Sequence, residues 1–273
     1  MEELKIHTIS NYLDAMRLFK KNYPIDTTSA HSLLYRGLSS TEYKLLPGLL
    51  RDRHFAEYDT LLKIERNLLL KFKQESCSII PNHFTELSHW AEYAQHFGAP
   101  TRYLDWSSNP LVALYFSCNN DRKDGIVWLI HTGNYSSSAF PASYRSNKKS
   151  LQDVVEEILS GSQEYNIPIL YSPNYFSARM SAQSSFFMVW GNRLDPFESI
   201  FEDETCYMRT SQINLSEYFS QQSFLFKFIV PKEQKQQLLC ELDSVGINEK
   251  TLFPGLDGVG RYVNRIFTNR NPK

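Results

Sequence analysis

Between residues 98 and 110 the backbone chemistry of this chain permits one short extended segment and little else. Gly98 and Pro100 stop a helical pattern, and Asn109-Pro110 starts the next: a side chain that caps orphan amides, then a residue whose φ is pre-set for the first helical position. The pattern before the stop predicts a helix from about Glu86 to Phe97, with Thr85 as N-cap and Leu87, Trp90, Ala91, Ala94 and Phe97 on its buried side. The pattern after the restart predicts a short, largely buried helix over Leu111–Cys118. The strand between them ends in Asp105, Trp106, Ser107 and Ser108, so it delivers polar groups to a helix N-terminus.

Other elements follow from period and punctuation. Phe55–Lys73 places Tyr58, Leu61, Leu62, Leu68, Leu69 and Phe72 at helical spacing. Ser150 and Asp153 form a capping box ahead of Val154, Val155, Ile158 and Leu159, with Gly161 closing a surface helix. Lys232–Val245, closed by Gly246, and Gly255–Phe267, carrying Leu256, Val259, Tyr262, Val263, Ile266 and Phe267, read as packing helices. Strand signals lie at Leu33–Arg36, Gly125–His131, Ser184–Trp190 and Phe224–Val230. Helices gathered in the first half, without regular βαβ alternation, point to an α+β fold rather than a doubly wound one. With no linker-like stretch and no fixed-period repeat, residues 1–273 read as one compact domain.

Charge narrows the partners. Lys and Arg number 29 against 30 Asp and Glu, a net charge of −1, so a nucleic-acid partner would need a local basic patch. Such a segment lies near the end, at Arg261, Arg265, Arg270 and Lys273, readable as RNA-phosphate contacts or as a solvated helix end. Glu198 with Glu202, Asp203 and Glu204 before Cys206 reads as a solvated acidic loop. The four cysteines form no C-x-x-C pair and are expected as reduced thiols, mostly in the core. His89 and His96 share a helical face, but no carboxylate or cysteine completes a metal set, so no metal is expected. The first residues lack the apolar core of a signal peptide, and stretches such as Pro110–Phe116 fall short of the roughly 18 apolar residues that span a bilayer. A cytoplasmic protein with no membrane partner is the expectation.

Two segments carry candidate chemistry. In Leu34-Tyr35-Arg36-Gly37 an arginine ends a strand and a glycine allows a ligand to approach the backbone, which suits a phosphate or carboxylate clamp. The other reading is a structural arginine paired with a carboxylate such as Asp105. In the second segment Ser107 and Ser108 could touch a ribose or phosphate at a helix start. Alternatively Asp105 and Asn109 satisfy loop and cap amides while Trp106 fills the core. His96 is either a general base or a helix C-terminal histidine favoured by the dipole.

Tyr35-Arg36-Gly37, Leu46-Pro47 with Arg51, Ala94 through Arg102, Leu104-Asp105-Trp106 and Asn109-Pro110 through Phe116 together resemble the FRG-domain family. Arg179, Ala182-Gln183 and Phe186, then Leu252 through Gly258, extend the resemblance over most of the chain. Tyr35 stands where the family has Phe, Phe97 where Tyr or His is usual, and Ser185 where glycine is frequent. The resemblance implies a motif core at about 33–118, with 125–267 completing the sheet and its packing helices.

A weaker similarity, to ADP-ribosyltransferases, implies an activity. Arg36-Gly37 on an early strand, Ser107-Ser108, then Gln183 before a later strand follow that order. It implies a small central, mostly antiparallel split sheet flanked by helices, and a bacterial toxin or phage-defence effector that transfers ADP-ribose from NAD to RNA or protein. A neutralising antitoxin would be its partner. The implied catalytic residues are Gln183, Arg36 and Asp105, and the implied NAD contacts are Arg36, Gly37, Trp106, Ser107, Ser108 and His96. Gln183 cannot serve as a general base, so Glu75 or Asp105 is left to accept a proton. The alternative is a non-catalytic FRG module binding phosphate, nucleotide or nucleic acid.

Overall fold

The computed structural model describes residues 4–22, 32–51, 57–80, 84–120, 122–133, 135, 150–200 and 224–268. The acidic run 202–204, Cys206, Arg270 and Lys273 lie outside these residues. In chain order the elements are β1 (Leu4–Lys5), α1 (Ile9–Asn22), β2 (Leu33–Leu38), α2 (Gly48–Arg51), α3 (Tyr58–Ser76), α4 (Leu87–His96), β3 (Tyr103–Ser107) and α5 (Pro110–Ser117). They continue as β4 (Gly125–His131), α6 (Leu151–Ser160), β5 (Ile169–Tyr171), α7 (Ala178–Ala182), β6 (Ser185–Val189), α8 (Phe197–Ile200) and β7 (Leu225–Val230). A 3-10 turn (Lys232–Gln234) then leads to α9 (Lys235–Ser244), α10 (Glu249–Leu252) and α11 (Leu256–Thr268).

The strands form one open seven-stranded sheet in the order β1-β7-β4-β2-β3-β6-β5. Every pairing is antiparallel except β1 with β7. The α+β expectation therefore holds, with a sheet larger than the five expected strands indicated. β4 pairs with β2 over six residues and β3 with β6 over five, yet β2 and β3 are joined at the single pair Tyr35–Ser107. Two well-laddered blocks thus part from each other just beyond Tyr35, leaving a fork in the middle of the sheet.

Side-chain alternation divides the core. One face, with Leu34, Leu38, Leu104, Trp106, Ile126 and Met188, packs on Leu49 and Leu50 of α2, Leu61 of α3, and Phe197 and Ile200 of α8. The other face carries two separate clusters. Over β7-β4-β2, Tyr35, Val127, Leu129 and Phe228 meet α1, α5 and α9. Over β3-β6-β5, Tyr103, Phe187 and Val189 meet α4, α6 and Met180 of α7. The gap between those clusters lies over the fork.

Local chemistry places the helix ends. Asn109 Oδ1 accepts from Leu111 N at 2.9 Å, and the Ser150–Asp153 capping box forms in both directions. Gly98, Gly161 and Gly246 end their helices at positive φ (+87°, +68°, +83°). The start of α4 departs from expectation: Glu86, not Thr85, is its N-cap, and the Glu156 carboxylate on α6 accepts from Leu87 N and Ser88 N. Three further expectations fail. Phe97, placed on the buried side by its spacing, sits one residue past the end of α4 and is 68% exposed. α11 packs on α10 only in part: of its stripe Tyr262 and Ile266 are half-buried, whereas Leu256, Val259, Val263 and Phe267 face solvent. Cys118 is buried, but Cys77 and Cys240 are exposed, the first at the C-cap of α3 and the second on the outer side of α9. Among the described residues no helix is long and apolar enough to cross a membrane.

Candidate functional site

The fork opens into a cavity of about 200 Å³. Its walls come from β2 (Tyr35, Arg36, Gly37), β3 (Asp105, Trp106, Ser107), the ends of α4 (Gln95, His96) and α5 (Val112, Ala113, Phe116), α7 (Arg179, Met180), Gln183, and β6 (Ser185, Phe187). Segments up to 152 residues apart in sequence, from Tyr35 to Phe187, thus converge, because the broken β2–β3 ladder leaves room between helices that cover separate blocks. Of the sequence-derived candidates, Arg36, Gly37, His96, Asp105, Trp106, Ser107 and Gln183 line the cavity, and Ser108 does not.

Arg36 spans the fork. Its Nη1 donates to the Asp105 carbonyl, and the Asp105 carboxylate lies 3.9 Å away. The clamp and ion-pair readings of this arginine are therefore not exclusive. Burial, with Arg51 nearby, lowers its pKa to about 10 against the opposing pull of Asp105, so it remains charged at neutral pH. Its Nε has no acceptor among the described residues. The same holds for the indole N–H groups of Trp128, which is paired with Arg36 across β2–β4, and of Trp106, one step beyond the Tyr35–Ser107 pair. Of these three N–H donors in one cross-strand row, those of Arg36 and Trp106 belong to residues that line the cavity, where they suit an oxygen-rich ligand or water.

Asp105 is the one carboxylate among the lining residues, and its side chain is 55% exposed. Its Oδ2 accepts from Gln95 Nε2 at 2.8 Å, and Gln95 Oε1 in turn accepts from Thr101 Oγ1 at 2.6 Å. This chain of bonds orients the carboxylate toward Arg36. Arg179 supplies a second guanidinium: Nη1 donates to the His96 carbonyl at 3.4 Å, and burial lowers its pKa. The His96 imidazole is also shifted downward, first by burial and then by Arg179, which favours its neutral form.

Several sequence-derived roles change. Gly37 does not hold space for a ligand: a Cβ there would lie 1.8 Å from Ala113 O, so the missing side chain admits α5 against β2. Ser107 Oγ donates to Gln183 O at 2.7 Å and accepts from Asn109 N at 3.0 Å, so its hydroxyl is a joint between β3 and the turn before β6. Ser108 is engaged through its backbone N–H, which donates to Ser184 O at 3.0 Å. Gln183 Nε2 donates to Leu252 O at 3.0 Å, tying the cleft to α10. Trp106 lines the cleft, but its ring is core, with 2% exposure. Glu75 is an exposed residue of α3, paired with Lys71 and away from the cleft lining, which removes it as a proton acceptor. Ser184, at φ +48°, is the left-handed residue that leads into β6, one position before the expected glycine site.

Gln95, Phe116 and Arg179 are site residues that the sequence reading did not single out as such. Arg179 was visible as part of the Arg179…Gln183 stretch; Gln95 and Phe116 gave no separate signal. Among the described residues no group of three or more His, Cys, Asp or Glu is placed to hold a metal ion.

Residues 31–125 match the FRG domain family, which supports the FRG resemblance. No curated protein and no solved structure gives a significant match to the chain.

Proposed function

We propose that the fork binds NAD and that the chain transfers ADP-ribose from it to a macromolecule. The observation that carries this reading is the pair of guanidinium groups, Arg36 and Arg179, in a cleft that holds one oriented carboxylate and two N–H donors, those of Arg36 Nε and Trp106, without acceptors among the described residues. Guanidinium forks match the pyrophosphate oxygens, and Phe116 and Phe187 give the flanking rings an apolar wall. In the reaction the bond between ribose C1′ and the nicotinamide nitrogen breaks, with its electron pair leaving on nicotinamide. A lone pair of an acceptor oxygen or nitrogen forms the new bond, and the acceptor's proton passes to Asp105 or water. The oxocarbenium-like ribose needs orientation and nearby negative charge more than a strong base, and Asp105 is positioned to supply both. Gln183, whose amide nitrogen is taken by Leu252 O, would orient a ribose hydroxyl through Oε1.

The second reading is a nucleotide-binding module without turnover. It is favoured by the hydroxyl of Ser107 and the amide of Gln183 already serving as structural joints. Calorimetry with NAD, run beside transfer of labelled ADP-ribose into a cell extract, separates the two. Arg36→Ala should weaken NAD binding by roughly 1.5–3 kcal/mol, with Arg36→Lys recovering only part of the loss. NAD binding without any labelled product selects the module; wild-type protein that does neither removes the transferase reading and favours a module for another phosphate, nucleotide or nucleic-acid ligand. A transferase that drains NAD is harmful when unrestrained, so a neutralising partner in a toxin–antitoxin or phage-defence setting belongs to the first reading.

A further inference from the structure

The rim of the cleft carries chemistry beyond what NAD takes: Arg179 gives one of its five N–H donors to the His96 carbonyl, which leaves enough to serve NAD on one side and a second anion on the other. Phe253, just beyond α10, has guanidinium groups over its ring from two sides of the chain: Arg179 Cζ at 5.1 Å from the ring centroid and Arg261 Cζ of α11 at 4.8 Å. Phe116, which lines the cleft, meets the same ring edge-on at 6.2 Å. Among the described residues Arg261 pairs with Asp257 at 3.7 Å, an exposed interaction of little strength in water, and Asp257 with Asp105 also acts on Arg179. Two like charges are thus gathered at one ring beside the cavity mouth, an arrangement that favours an arriving anion.

Across the mouth lies an aromatic shelf. Phe97 is exposed and meets the His96 ring edge-on at 4.9 Å. His96 meets Phe176 at 5.3 Å, and Phe176 stacks on Tyr93 at 3.9 Å and 10°. Shelf and cations adjoin, since Arg179 donates to the His96 carbonyl. Cations that track phosphates next to an open aromatic face are the two requirements for holding an unpaired strand. A duplex hides its base faces, and an acidic peptide has no use for the shelf.

We propose that this rim seats a single-stranded nucleic acid, with backbone phosphates at Arg179 and Arg261 and a base on Phe97. The strand is then the macromolecule that receives ADP-ribose. The identity of the acceptor rests on the transferase reading, whereas the binding surface does not. The strand contributes a hydroxyl or ring nitrogen, whose lone pair replaces nicotinamide at ribose C1′ while its proton leaves to water.

The test is fluorescence anisotropy with a short labelled RNA strand, the same strand annealed to its complement, and polyglutamate of matched charge as competitor. Two phosphate contacts give a slope near −1.4 in log affinity against log salt, a roughly sevenfold loss between about 50 and 200 mM salt. Arg261→Ala should weaken binding and reduce that slope by about half. Phe97→Leu should weaken binding at least about fivefold and leave the slope unchanged, since stacking carries no counterions. Both side chains are exposed, so neither change threatens folding. Competition by polyglutamate as effective as by RNA, or a Phe97→Leu protein that binds like wild type, overturns the proposal. So does NAD binding with no strand binding, or labelled product destroyed by protease and not by ribonuclease. Strand binding without NAD binding upholds the surface and removes the transferase reading.

Discussion

Gly37→Ala tests whether the residue after the fork arginine serves a ligand or a helix. A Cβ built at position 37 falls 1.8 Å from Ala113 O and 2.8 Å from Ser117 N, and side-chain carbons essentially never approach within 3.0 Å. The strand and α5 would have to separate by more than about 1 Å, and the obstacle is backbone, with no rotamer that can yield. β2 is held by six register pairs to β4, and α5 is packed through Val112, Ala113 and Leu114 into the second core cluster. Neither can move alone. The cost belongs at the upper end of the overpacking range, about 3 kcal/mol. With a urea slope of about 3 kcal/mol/M for a chain of this size, the unfolding midpoint should fall by about 1 M, read by tryptophan fluorescence and circular dichroism together. A variant with an unchanged midpoint and abolished NAD binding would refute the packing argument and return Gly37 to the ligand.

Two further outcomes follow from buried groups. Burial raises the Glu92 carboxyl from 4.5 to about 7, against a hydrogen bond from Tyr171 and the influence of His89. Between those values the folded chain binds more protons than the unfolded one, so stability falls as pH rises through that window, by up to about 3 kcal/mol. Glu92→Gln should flatten the difference in urea midpoint between pH 5 and pH 8; an equal difference in both proteins would show that Glu92 does not titrate there. Ser107→Ala removes bonds to Gln183 O and Asn109 N and should cost about 1–2 kcal/mol in thermal stability with NAD affinity intact. Lost affinity with unchanged melting would place the hydroxyl on the ligand instead.

Where local chemistry decides structure, the sequence was legible. The stop at Gly98, the cap at Asn109, the Ser150–Asp153 box and the closing glycines 161 and 246 are each set by a few neighbouring atoms. Sheet order was not, because it depends on pairing between segments far apart, and β1 and β5, at two and three residues, are too short to leave a periodic trace. Phe97 and the α11 stripe show a different limit. Helical spacing states that a face is apolar and says nothing about whether another element covers it.

The candidate site divides along the same line, by how many bonds each side chain can make. Ser107, Gln183 and Gly37 read from sequence as ligand groups, yet such residues have a few polar atoms at most and sit within reach of neighbouring backbone. The structure spends Ser107 on Gln183 O, the Gln183 amide on Leu252 O, and the bare Cα of Gly37 on α5. An arginine carries five N–H donors, and one carbonyl with a carboxylate at 3.9 Å cannot exhaust them. That surplus remains at Arg36, and it sits where a ladder joined at one residue pair leaves the sheet open. Arg179, one turn before Gln183 on a five-residue helix, brings a second surplus to the same opening. Donors left without acceptors among the described residues are therefore the strongest structural argument for a ligand. They point to an oxygen-rich one, and the hydroxyls that first drew attention serve to hold the fork in shape.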